Sequence, residues 1–271
     1  MIVDYHMHLR DSAGLIDHKA RAVEPFVETA AARGVDEIGF TEHVYYFRQT
    51  REIWHLPYHT ERCVYDLDAY CDAVVDAKRR GLPVKLGLEV DFVGERQGRL
   101  GELLAPYPWD YLLGSVHEVR DVAVDQEPGI WAELDVDAVW VGYIESLGAL
   151  ARSGAVDVLA HPDLAKIYGL RPTPERLAEL HERLVDAVAD GGVAVEISTA
   201  GLRKPVGELY PDPELLAAFV RRSVPVTLAS DAHEPELVGE SFGEALALAR
   251  GAGCSTVAVF SGRERGLEPL G

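Results

Sequence analysis

The sequence predicts an α/β protein built on a parallel sheet, on three observations. Short runs rich in β-branched and apolar residues alternate with longer stretches of helical spacing almost to the C-terminus. The alternation continues without a linker, a low-complexity tract or a break in composition, as repeated βα units do whether the sheet closes into a barrel or stays open. The length, 271 residues with 48% hydrophobic content, suffices for one α/β domain with a full core. A single domain over residues 1–271 is therefore expected.

In chain order, the apolar run 1–6 is followed by a helical stretch at 19–33, and DEIGFT (36–41) by a helix at 66–80. VKLGLEVD (84–91) leads to 97–105, DYLLGSV (110–116) to 135–153, and VDVLA (156–160) to 174–190. VAVEIS (193–198) precedes 212–222 and VTLASD (226–231) precedes 240–251, which completes seven βα units. Thr173-Pro174 and Asp212-Pro213 each place an N-cap side chain before a proline at the first helical position. STVAVF (255–260) reads as an extra terminal strand.

Composition narrows the function. A net charge of −19, from 26 basic and 45 acidic side chains, opposes capture of a long polyanion, so no nucleic-acid partner is expected. A small phosphorylated substrate stays compatible, because a metal cluster is a concentrated positive charge inside an acidic protein. No apolar run approaches the roughly 20 residues of a membrane span, and MIVDYHMH lacks a basic segment followed by an apolar one, so a cytoplasmic protein without a membrane partner is expected. Cys63, Cys71 and Cys254 form no C-x-x-C pair and read as reduced bystanders. The sequence leaves the oligomeric state open.

The strand ends carry the chemistry. They read DYHMH, FTEHV, GLEVDF, GSVHEV, LAHPDL, VEISTAGLRKP and LASDAHE. Each delivers a metal-competent side chain: His6 and His8, Glu42 and His43, Glu89 and Asp91, His117, His161 with Asp163, Glu196, and Asp231 with His233. The active sites of parallel barrels sit where strand ends converge. One histidine taken alone reads best as a satisfied core or surface residue, but six of the ten histidines at the ends of different strands need a coincidence. Metal binding is the better reading, and imidazole with carboxylate and no thiolate suits Zn, Fe or Mn.

These motifs, in this order across almost the whole chain, resemble the polymerase and histidinol phosphatase (PHP) family. GSVH with TAGLRKP resembles its histidinol-phosphatase branch, which acts in histidine biosynthesis. The resemblance implies a distorted (β/α)7 barrel with two or three divalent transition metals at the C-terminal ends of the strands. It assigns His6, His8, Glu89 and Asp231 to one metal, Glu89, His117 and His161 to a second, and His43 and His233 to a third, with Glu89 bridging the first two. One element departs from the family pattern, because LRDSAGLID separates His-x-His from the next histidine. His18 then either completes the third site from a longer loop or is a solvated residue at the start of the first helix.

The implied activity is release of L-histidinol and phosphate from histidinol phosphate. Two adjacent divalent ions would lower the pKa of a bridging water and hold it as hydroxide in line with the phosphorus atom, and a third would stabilise charge on the departing alkoxide. Glu89, Asp231 and Arg203 are the expected catalytic residues. The planar fork of Arg203 suits bidentate phosphate recognition and Lys204 adds a point charge, the plainer reading of LRKP being an exposed basic loop. Glu196 is a candidate for gripping the substrate amine. The segment 44–63 is too long for an ordinary βα loop. Its Tyr45, Tyr46, Phe47, Arg48, Arg51 and Trp54 either wall the metals and grip an imidazole or pack as a flap on the rim, with His55 and His59 exposed. His181 reads as a solvated helix residue. The competing functions are another metal-dependent phosphoesterase, acting on nucleotides, nucleic-acid ends or phosphotyrosine, and a non-catalytic barrel.

Overall fold

The predicted strands form, though shorter than their sequence patterns, in a computed structural model that describes residues 1–11, 13–120, 122–125, 131 and 134–271. One parallel sheet holds β1 (Val3–Asp4), β2 (Glu37–Phe40) and β3 (Val84–Leu86) in that order. The run 84–91 divides after Leu86, so that β4 (Glu89–Asp91) belongs to a second sheet with β5 (Leu113–Ser115). After a short antiparallel ribbon, β6 (Glu118–Val119) and β7 (Val122–Ala123), that second parallel sheet continues through β8 (Val158–Leu159), β9 (Ala194–Ser198) and β10 (Val226–Ala229). Backbone bonds run between the two sheets. The Glu89 N–H donates to the Glu42 carbonyl at 3.0 Å, and the Tyr5 N–H to that of Leu228 at 3.0 Å. Asp4 reinforces the second junction, its buried carboxylate accepting the Ser230 N–H at 2.8 Å.

The helices are α1 (Val23–Ala32), α2 (Pro57–Thr60), α3 (Leu67–Arg79), α4 (Gln97–Leu104), α5 (Val136–Arg152), α6 (Pro174–Gly191), α7 (Pro213–Arg221) and α8 (Phe242–Gly251). The caps expected from sequence form: Thr173 Oγ1 accepts the Arg176 N–H, and Asp212 the Leu215 N–H, each ahead of a proline. Asp66 and Asp135 cap α3 and α5 in the same way. Among the described residues no helix is long and apolar enough to cross a membrane.

The expected terminal strand is β11 (Thr256–Ser261), which pairs antiparallel with β12 (Glu264–Pro269). β12 has no signature in the sequence, because ERGLEP is exposed throughout and buries no alternating face. Positive φ at both Gly262 and Arg263 makes the tight turn whose twist suits a hairpin. Val257, Ala258 and Phe260 of β11 pack with Val3, Tyr5, Leu113, Val158 and Ala194 at the starts of the parallel strands, away from the histidines. A larger core, including Trp140, Tyr70, Phe26 and Phe40, fills the space between strands and helices.

Tyr111 crosses this arrangement and donates its hydroxyl to the Tyr5 carbonyl at 2.7 Å. A Cβ on Gly39 would lie 2.1 Å from that hydroxyl oxygen. Gly39→Ala is therefore expected to displace the ring and lower the unfolding free energy by about 2 kcal/mol, seen as a lower urea midpoint at unchanged m-value.

Candidate metal centre

Glu89, fully buried on β4, stands at the middle of a ring of imidazoles. Its Oε2 lies 2.6 Å from His43 Nδ1, 3.5 Å from His6 Nε2 and 3.8 Å from His8 Nε2, and its Oε1 lies 3.4 Å from both His117 Nε2 and His161 Nε2. Asp231, just beyond β10, brings Oδ1 to 3.6 Å from His6 Nε2 and 3.3 Å from His8 Nε2. His233 stacks beside His8 with ring centroids 4.1 Å apart. The His-x-His pair reaches the same centre because Met7 bridges in parallel to Ala232, beside Asp231, with the His8 N–H donating to the Ala232 carbonyl at 2.8 Å. Backbone at His161 (φ 26°) and Asp231 (φ 52°) is held in the left-handed region, a strain that clusters at functional sites.

Behind the imidazoles stand carboxylates. Glu196 accepts from His6 Nδ1 at 3.0 Å, and Asp91 from His117 Nδ1 at 2.6 Å. Glu42 lies 3.6 Å from His8 Nδ1 and takes Arg10 at 2.8 Å. Each pairing turns the other ring nitrogen toward the centre, as outer carboxylates do for metal-ligating histidines. Burial pushes the Glu89 carboxyl up, but His43, His6 and His117 outweigh it and hold it well below the usual range. Burial likewise lowers His117, and Asp91 and Glu89 more than reverse this, raising it well above an ordinary histidine. For His233 burial prevails, with His8 adding to it, and its value falls to about 3.

The donor set fits divalent ions. Among the described residues, His6 Nε2, His8 Nε2, His43 Nδ1 and both Glu89 oxygens are buried without a hydrogen-bond partner, an arrangement that costs free energy unless a cation satisfies it. Three groupings bring their ligand atoms within 4.8 Å of one another: His6, His8 and Asp231; His6, Glu89 and His161; and His8, His43 and His233. A fourth grouping joins His43, Asp91 and His117. Glu196→Gln is expected to lower metal affinity by about 10- to 100-fold, measured by titrating metal-stripped protein with Zn²⁺, because the amide no longer fixes the His6 ring as a carboxylate does.

Several expected site residues sit elsewhere. His18 joins none of these groupings among the described residues, nor is it solvated. Its Nε2 lies 3.5 Å from Glu42, behind His8, and its ring packs against Phe47, Tyr65 and Tyr70. Glu196 is fully buried between His6 and the His161 N–H, so it is not free to grip an amine. Arg203 donates to the Ser230 carbonyl at 2.6 Å and to Glu240 at 3.1 Å, a brace on the strained turn at Asp231 rather than a fork facing phosphate. Arg48 pairs with Asp66 at the surface, and Arg51 bonds the Thr60 carbonyl, so both point away from the metals. His59 is buried against Trp54 and Tyr45 and held down to about 4 by that burial. His181 is buried rather than solvated, 4.0 Å from Asp212.

The groupings open onto a cavity of about 210 Å³. Tyr45, Tyr46 and Tyr58 of the long segment line it, so that segment packs on the rim and forms a wall at once. Lys204 lines it too, and so do two residues the sequence did not single out, Asp125 and Tyr210.

Comparison with known proteins gives the family and the fold. The family model of the PHP domain matches residues 4–200. The chain belongs to the PHP family. A probable histidinol-phosphatase of Deinococcus radiodurans is 32% identical over 99% of this chain and 99% of its own. The histidinol-phosphatase of Lactococcus lactis is 26% identical, covering 96% and 94%. The crystal structure of the L. lactis histidinol phosphate phosphatase, complexed with zinc, L-histidinol and phosphate, superposes with a TM-score of 0.76 at 21% identity, covering 98% of each chain. This PHP chain thus shares a mixed α/β fold with that enzyme.

Proposed function

We propose that the protein is a metal-dependent histidinol-phosphatase, hydrolysing L-histidinol phosphate to L-histidinol and phosphate. The observation that carries the reading is the convergence of five histidines on one buried carboxylate, Glu89, with Asp231 facing two of them, at the base of a small cavity. Full-length similarity to histidinol-phosphatases supports the branch. At about 210 Å³ the cavity lies below the usual range for drug-sized ligands, which suits a small monoester better than a polymer.

Two or three divalent ions, Zn, Fe or Mn, would be held by His6, His8, Glu89 and Asp231, by Glu89, His117 and His161, and by His8, His43 and His233. When bound, such ions acidify water toward neutral pH and neutralise phosphate oxygens. The chain's own residues fix the rest. Glu196, Asp91 and Glu42 orient the rings, Lys204 offers its ammonium to the phosphate, and Tyr45, Tyr46 and Tyr58 exclude water and present aromatic faces to an imidazole. The strands are read as one distorted (β/α)7 barrel in a single domain, a reading supported by the Glu89–Glu42 and Tyr5–Leu228 backbone bonds between the two sheets. A cytoplasmic site of action accords with three free cysteines.

The test is phosphate release by metal-analysed protein from L-histidinol phosphate, p-nitrophenyl phosphate and a bis-ester. By far the highest kcat/KM on histidinol phosphate, with two or three metals per chain, is expected. An equal or better rate on the bis-ester would overturn the assignment and point to a phosphodiesterase.

A further inference from the structure

Asp125 lines the cavity, yet no grouping of candidate metal ligands among the described residues includes it. Its Oδ1 is buried and accepts no hydrogen bond from the described residues. His117 makes no hydrogen bond to it, because Nδ1 of that ring is taken by Asp91 and Nε2 faces Glu89, although the Asp125 charge is among those that raise His117. The backbone around it is pinned: the Asp125 carbonyl accepts from the Tyr168 hydroxyl at 2.9 Å, and the Val124 carbonyl from Trp131 Nε1 at 3.0 Å. The Val124 N–H donates to the His117 carbonyl at 2.9 Å, which ties the segment to the metal-facing strand end. Tyr210 lines the same cavity, is 1% exposed, and its hydroxyl also lacks a partner among the described residues.

A buried carboxylate oxygen without a donor is costly, and it is retained where a ligand supplies the donor. A fully ionised phosphate carries no proton to donate, and its charge repels a carboxylate. With no donor among the described residues, a cationic or N–H-bearing part of the substrate fits the place. Resting on the histidinol-phosphatase reading, we propose that Asp125 is the acceptor for the substrate's ammonium group, with the Tyr210 hydroxyl taking a second of its N–H bonds. The amine of an amino-alcohol phosphate lies two carbons from the ester oxygen, so it must sit close to the metal cluster. An ammonium beside divalent cations is repelled unless a carboxylate faces it. Asp125 supplies that charge from the wall adjoining His117, the role the sequence had suggested for Glu196. It makes the enzyme select an amine as well as a phosphate.

The test uses L-histidinol phosphate and its deamino analogue, the phosphate monoester of 3-(imidazol-4-yl)propanol, with wild-type protein, Asp125→Asn and Tyr210→Phe. The readout is the ratio of kcat/KM on the amine to that on the deamino ester. Wild-type is expected to favour the amine by about 30-fold, Asp125→Asn to bring the ratio near 1, and Tyr210→Phe to lower it by about 5-fold. A wild-type ratio near 1, or an Asp125→Asn ratio equal to wild-type, overturns the proposal. Comparison of wild-type on histidinol phosphate and p-nitrophenyl phosphate tests the histidinol-phosphatase reading separately. If that preference is missing while the amine ratio is high and collapses in Asp125→Asn, the activity assignment fails and the ammonium subsite stands.

Discussion

Glu89→Gln lowers kcat/KM on the phosphomonoester by at least about 1,000-fold, roughly 4 kcal/mol of lost transition-state stabilisation. The size follows from the number of groups that depend on one carboxylate. His6, His8 and His43 face one of its oxygens, and His117 and His161 the other. An amide of the same shape keeps the volume but offers only one oxygen and no charge, so cations held on both sides, as proposed, would lose their common counter-charge. Metal analysis is expected to find less than the wild-type complement per chain, with the circular dichroism spectrum unchanged. A variant that keeps activity within ten-fold of wild-type would show that the two sides of Glu89 do not act together.

His117→Ala is the second large effect. It removes one ring that faces Glu89 and leaves Asp91 without its 2.6 Å partner. The variant is expected to lose one metal and all but about 1% of kcat, since two adjacent ions acting on one phosphate are worth several kcal/mol. It stays folded, because the ring lies at the cavity and not in either apolar core. Near-wild-type kcat would sink the two-metal mechanism.

The frame of the molecule was legible because α/β units announce themselves through periodicity, and Thr173-Pro174 and Asp212-Pro213 through cap chemistry. The histidines at strand ends were legible for a related reason: strand ends of a parallel sheet meet in space however far apart they lie in sequence. What stayed hidden was the difference between an inner and an outer carboxylate. Glu89 and Glu196 both fall in the strand-end motifs of the sequence, yet the first lies among five rings while the second sits behind His6 and accepts the His161 N–H. Arg203 misled because a basic side chain after a strand end reads as phosphate-binding, whereas here neighbouring carbonyls claim its donors. Asp125 gave no signal, since it follows a two-residue strand with no pattern of its own.

The bond from Tyr5 to Leu228 sets an order of events in the cell. The strand that carries His6 and His8 is hydrogen-bonded to one of the last parallel strands, and its metal grouping is completed by Asp231, over 200 residues downstream. A chain still emerging from the ribosome has made both histidines long before it has made their carboxylate. Until synthesis passes that point, the grouping of His6 and His8 lacks the carboxylate of Asp231. The first grouping therefore waits for β10 and the turn after it, and a chain cut before Asp231 would leave His6 and His8 without the carboxylate they face.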